Sequence, residues 1–124
     1  LVNLLYEVWH SILYTTCITA SWKKYIYLML KGAVFDGAVI MLIYFDLYLV
    51  FRNINPLGNF IQLLLFIICT LVFAAVWEIY SLKKGKWEYS SAMPTILGIG
   101  VTPLIQLALT GFLTLCIVFS NINY

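Results

Sequence analysis

Residues 60–82 read FIQLLLFIICTLVFAAVWEIYSL, and their length decides the fold. Only Glu78 is charged in that run. A helix rises 1.5 Å per residue, so roughly 20 apolar residues cross the ~30 Å hydrocarbon core of a bilayer. Nothing in the run alternates apolar with polar residues, as a strand of a membrane barrel would. A spanning helix is the reading that suits it.

The rest of the 124-residue chain repeats the pattern, with 64% hydrophobic and 10% charged residues. Soluble domains carry about 25% charged residues, and a small domain leaves much of its surface in contact with solvent. So much apolar surface on so short a chain calls for lipid as the solvent. Besides 60–82, three further runs approach spanning length: 4–22, 32–51 and 94–119. The expected fold is therefore all-α, an integral membrane bundle of four transmembrane helices forming one domain. The first run is the weakest, because Glu7, His10 and several hydroxyl residues interrupt it. The same interruptions argue against a cleavable signal peptide. The alternative is three spans plus an N-terminal helix lying in the interface.

Breaks between the runs have local causes. Trp22, Lys23 and Lys24 form an aromatic and cationic anchor,. Residues 52–59, with three Asn, Pro56 and Gly58, form a turn by composition,. Lys83, Lys84, Lys86 and Trp87 form a second anchor. Ser90 or Ser91 is expected to cap the last helix, with Pro94 in its first turn and a kink at Pro103. Lys31 lies early in the second run, so residues 22–31 read as an interfacial stretch or a helical extension into the headgroups. With alternating spans the two lysine groups share one side, leaving Arg52 on the other. The positive-inside rule puts the lysine loops in the cytoplasm and the C-terminus opposite.

Residues four apart share a helix face. Four such lines stand out: Asn3, Glu7, Ser11, Thr15, Thr19; Gly32, Asp36, Ile40, Tyr44, Tyr48; Gln62, Phe66, Thr70, Ala74, Glu78; and Gly98, Thr102, Gln106, Thr110, Thr114. Small and hydroxyl residues let membrane helices approach closely. These lines read as the inward seams of the bundle, with packing as the leading explanation and a hydrated interior as the sharper one.

Intramembrane carboxyls mark function by default, because an ionised group costs roughly 2.5–3.5 kcal/mol at the centre of a span on insertion scales. The polar candidates are Asp36, Glu78, Asp46, Glu7, His10, Gln106 and Thr102. Asp36 and Glu78 are expected near the lysine side, with Lys31, Lys83 or Lys84 as ionic partners. Glu7, His10 and Asp46 are expected toward the other side, near Arg52. His10, the one histidine, follows Glu7 by three residues, but a metal bundle needs further carboxylates and a second such pair,. No metal or other cofactor is expected. Cys17, Cys69 and Cys116 lie singly in apolar runs and read as buried thiols,.

A net charge of +2 with lysines beside apolar runs gives no nucleic-acid surface,. The glycines at 98 and 100 lack the strand and third glycine of a phosphate loop,. No nucleophile stands with a base, so an enzyme is not the favoured reading. The leading reading is a non-catalytic subunit or assembly partner within a membrane complex, homo-oligomeric or larger, with the lipid bilayer as its solvent. The alternative is a proton-coupled transporter or channel component in which Asp36 and Glu78 handle charge and Gln106 and Thr102 line a path. A membrane-embedded lipid-modifying enzyme comes third.

Overall fold

A computed structural model describes residues 1–120 as an all-helical bundle. Its helices are α1 (Val2–His10), α2 (Thr15–Ile18), α3 (Trp22–Phe51), α4 (Phe60–Lys83) and α5 (Val101–Phe119). A two-stranded hairpin, β1 (Thr95–Ile96) and β2 (Ile99–Gly100), precedes α5. With 30, 24 and 19 residues, α3, α4 and α5 are long and apolar enough to cross a membrane. Three candidate spans are consistent with a multi-pass membrane protein.

The first run is not one continuous helix. It forms α1, a 3₁₀ turn at Ser11–Leu13 and α2, separated at Tyr14, whose backbone is extended (φ −111°, ψ 123°). The nine residues of α1 reach only about 14 Å at helical rise,. The break leaves backbone groups that a distant loop satisfies. Thr15 N–H donates to the Glu88 carbonyl (2.9 Å) and Ser90 N–H to the Leu13 carbonyl (2.8 Å). Thr15 and Thr16 also bond the loop through their hydroxyls, at 3.1 Å to the Tyr89 carbonyl and 2.9 Å from Glu88 N–H. Neither glycine nor proline marks this break in the sequence.

Helix α3 runs unbroken through Lys31, so residues 22–31 are a helical extension. At about 45 Å it exceeds the hydrocarbon thickness. It ends where Arg52 adopts the left-handed conformation (φ 53°) and donates its N–H to the Tyr48 carbonyl. The turn that follows is held by its asparagines. The Asn55 side chain accepts from Leu57 N–H, and the Asn59 side chain caps α4 by accepting from Gln62 N–H. Gln62 is fully buried and clasps Asn53 twice, each bond 3.0 Å.

The inward line of α4 is buried along its length: Gln62, Phe66, Thr70, Ala74 and Glu78. On α5, Thr102, Gln106 and Thr110 are buried, whereas Gly98 lies in the hairpin turn. Thr70, Thr110 and Thr114 return their hydroxyls to carbonyls of their own helices. They act as small packing surfaces rather than cross-helix donors. Fully buried Phe66 fills a notch at Gly111, where an added Cβ would stand 2.8 Å from the ring. Ile40, Phe66, Leu107, Leu115 and Phe119 pack together and fill the half of the bundle next to the Arg52 turn.

The expected start of the last helix moves. Leu97 (φ 52°) and Gly98 (φ 80°) form a two-residue turn in which both backbones are left-handed, as a tight hairpin requires,. Gly100 rather than Ser90 or Ser91 occupies the cap of α5. A Cβ on Gly100 would meet Met93, Pro103 and Tyr89, each at 3.0 Å. Pro103 sits in the first turn, where its missing N–H leaves no gap in the helical ladder, so it does not interrupt the helix,.

Candidate functional site

Helix α1 lies antiparallel to the lysine-bearing half of α3. Asn3 approaches Gly37, Glu7 approaches Gly32, and the Ser11 and Tyr25 hydroxyls are 3.0 Å apart. On its other side α1 reaches α5, where the Tyr6 hydroxyl donates to the Thr102 carbonyl (2.7 Å). This placement sets α1 against α3 and α5 and brings its polar face inward.

Glu7 and His10 therefore lie beside Asp36, not toward Arg52 as the sequence suggested. The amide of Gln106 donates to the Glu7 carboxyl at 2.8 Å and also to the Asp36 carboxyl. One amide nitrogen thus bridges the two carboxyls. The second oxygen of Glu7 meets His10 Nε2 at 3.2 Å. His10 is buried, and its Nδ1 has no partner. Asp36, Glu7 and His10 thus form a line of three groups that can each donate or accept a proton.

Glu78 forms a second centre. Its Oε1 accepts from the Tyr89 hydroxyl (2.5 Å), Trp87 Nε1 (3.0 Å) and, more distantly, the Tyr14 hydroxyl (3.5 Å). Oε2 receives no donor among the described residues. The expected lysine partners of Glu78 and Asp36 are not used: among the described residues no lysine or arginine lies within ion-pair distance of a carboxyl, and the one basic side chain that does is His10, at Glu7. The physical reason is burial. Indole and phenol donors reach an enclosed carboxylate without bringing a second charge out of water, whereas Lys83 and Lys84 are exposed,. The Tyr89 hydroxyl also accepts from Gly100 N–H (2.9 Å), linking the hairpin to α4. Burial and this donation to Glu78 push the Tyr89 phenol well above its usual range, so it remains a donor,.

The two centres border one cavity of about 410 Å³ in the lysine-bearing half of the bundle. Glu7, His10, Asp36, Glu78 and Gln106 line it together with Tyr14, Phe35, Phe73, Trp77 and Trp87. Lys31 and Lys86 also border it. Aromatic contacts tie the wall together: Phe35 stacks on Trp77 (4.6 Å between centroids), and the His10 and Tyr14 rings meet edge to face at 5.4 Å. Lys86 places its ammonium over Trp77 at 4.3 Å and over Tyr80 at 4.8 Å.

Of the sequence candidates, the fold gathers Glu7, His10, Asp36, Glu78 and Gln106. Thr102 does not line the cavity; its hydroxyl faces Met93 Sδ at 3.4 Å. Asp46 stands exposed on α3, away from the cavity. Of the interfacial anchors, Trp22, Lys23, Lys24, Lys83, Lys84 and Lys86 are exposed, while Trp87 turns inward to Glu78. Sequence reading missed Tyr14, Tyr89 and the role of Gly32. The spacing Glu7, His10, Tyr14 at i, i+3 and i+7 carried a signal for the first of these.

Comparison with known protein families, curated proteins and solved structures finds no match.

Proposed function

We propose that this chain is a proton-handling component of a small membrane transporter or channel, with Glu7 and Asp36 as the groups that hold the proton. The observation that carries the reading is the junction of these two carboxyls beside the cavity, bridged by Gln106 and continued by His10. Carboxyl groups placed within membrane-spanning bundles are rare and mark proton and ion pathways. Acid and imidazole groups in series can pass a proton because each both accepts and donates. The tightly packed half toward Arg52 favours a carrier that exposes its cavity in turn over a continuously open pore.

We place the lysine end in the cytoplasm on the positive-inside rule, which sets the cavity in the cytoplasmic half and the Arg52 turn outside. The end of α5 then lies on the outer side; residues 121–124 themselves lie outside the described residues.

Liposomes loaded with a pH-sensitive dye test the reading. Under an imposed proton gradient the wild type is expected to acidify the lumen faster than Asp36→Asn. Equal rates would remove Asp36 from the mechanism.

A second reading, an assembly partner within a larger complex or homo-oligomer, is favoured by Asp46. It is exposed on a spanning helix with no hydrogen bond or ion pair among the described residues. Another chain could supply its partner. A mass measurement in mild detergent that finds only monomers and no second polypeptide would count against it.

A further inference from the structure

We propose, building on the reading of this cavity as a transport site, that its ligand is a small organic cation, an amine or quaternary ammonium, seated between the aromatic wall and the Glu78 carboxylate. Aromatic faces attract cations through the negative face of the ring, more strongly where water is excluded. The protein already displays the interaction: the Lys86 ammonium, tethered by an exposed side chain, rests on Trp77 and Tyr80. Two polar features of the site await a partner. Glu78 draws its three donors to Oε1, which leaves Oε2 to accept from an ammonium N–H or to face a quaternary centre. His10 is 3% exposed, lines the cavity and has an unpartnered Nδ1, which accepts from an ammonium N–H when the ring is neutral with Nε2–H donating to Glu7,.

An organic ligand fits better than a metal ion. No three His, Cys, Asp or Glu side chains among the described residues are arranged to hold a metal. A cavity of about 410 Å³ lies within the range of small-molecule sites, and its aromatic lining suits an apolar ligand body,. The cationic group could belong to a free molecule or to an amine-bearing lipid headgroup, since both present the same chemistry to Trp77 and Glu78.

Benzyltrimethylammonium is the probe, titrated into the full chain in nanodiscs of phosphatidylglycerol, with benzylphosphonate as the anionic control. Saturable binding of the cation and none of the control is expected. Trp77→Leu is expected to weaken binding by about tenfold or more. Lys86→Met is expected to strengthen it severalfold, because the tethered ammonium no longer competes for the ring. Because Lys86 is exposed, this variant reads out even if Trp77→Leu fails to fold. Absence of binding to both wild type and Lys86→Met, weaker binding to Lys86→Met, or preference for the phosphonate would each overturn the assignment. In phosphatidylcholine nanodiscs, loss of probe binding would identify the headgroup as the source; unchanged binding would identify a free cation. Asp36-dependent proton flux without probe binding would leave proton handling standing and remove only the cation. Probe binding without that flux would do the reverse.

Discussion

The Glu7 carboxyl lies against the backbone of Gly32, so closely that a Cβ there would stand 2.8 Å from Oε1 and 2.9 Å from Cδ. Glycine at this position lets α1 approach α3 and lets Glu7 reach Gln106 and His10 at once, with Asp36 on the same Gln106 amide. In an isolated helix Gly→Ala stabilises by about 1 kcal/mol, so the sign at this position depends on whether Glu7 can yield. Gln106 and His10 hold its carboxyl, and we expect Gly32→Ala to destabilise the wild type. In a Glu7→Ala background the same change should stabilise by about 1 kcal/mol. Denaturation of the four variants in detergent gives the comparison. A Gly32→Ala change that stabilises both backgrounds equally would mean that the two residues are not coupled.

The clasp between Asn53 and Gln62 makes a second pairwise test. Asn53→Ala removes the donor to Gln62 Oε1 and leaves that oxygen in a fully buried site. An unsatisfied buried acceptor costs about 1–3 kcal/mol. The double variant Asn53→Ala/Gln62→Leu removes the orphaned amide oxygen and leaves only the half-buried Asn53 backbone carbonyl without its Gln62 donor, a group within reach of water, so it should be more stable than Asn53→Ala alone. Thermal melts in one detergent would decide, and equal or lower stability of the double variant would refute the role assigned to Gln62.

Tyr89 joins the hairpin to Glu78 through one hydroxyl that donates to the carboxylate and accepts from Gly100 N–H. Tyr89→Phe loses both bonds and should cost about 1–3 kcal/mol. The folded phenol titrates above the ordinary value of 10.0, so its contribution is full below about pH 10 and is lost as the pH rises through the folded value,. The stability gap between wild type and Tyr89→Phe should therefore be flat from neutrality to about pH 9. Between about pH 10 and pH 12 the gap should then shrink, because the unfolded phenol ionises before the folded one; a gap that stays constant there would mean that the phenol ionises alike in both states and that burial does not protect it,.

What the sequence disclosed follows from which structures are local. The seam of α4 was legible from Gln62 to Glu78 because helical geometry alone places every fourth residue on one face. The 52–59 turn was legible because Asn, Pro and Gly have backbone preferences of their own. The break at Tyr14 was not, since its backbone groups are satisfied by Glu88 and Ser90, more than seventy positions away in the chain. The hairpin before α5 was hidden in the same way: Leu97 adopts a conformation that its type disfavours, and only the closed turn reveals it. For the site, Asp36, Glu78 and Glu7 could be named individually as costly groups. Their grouping depended on a short helix entering antiparallel to α3, and no periodicity within one segment specifies that.

Cys69 tests the solvent assumed for the outer surface. It is exposed on α4, about 13 Å from the helix start at Phe60 by helical rise,. In water, an exposed thiol at that position would react readily with a charged maleimide. In a bilayer it would face hydrocarbon near mid-depth, where neither the charged reagent nor a thiolate is stable. With Cys17 and Cys116 replaced by serine, we expect Cys69 to resist the impermeant reagent in sealed and in permeabilised vesicles alike. It should then label fully after denaturation in SDS. Permeabilised vesicles matter because they admit reagent to both surfaces, so protection there reflects depth rather than sidedness. Rapid labelling of the folded protein in permeabilised vesicles would place water against α4, and the interpretation of Asp36 and Glu78 as intramembrane groups would fail with it.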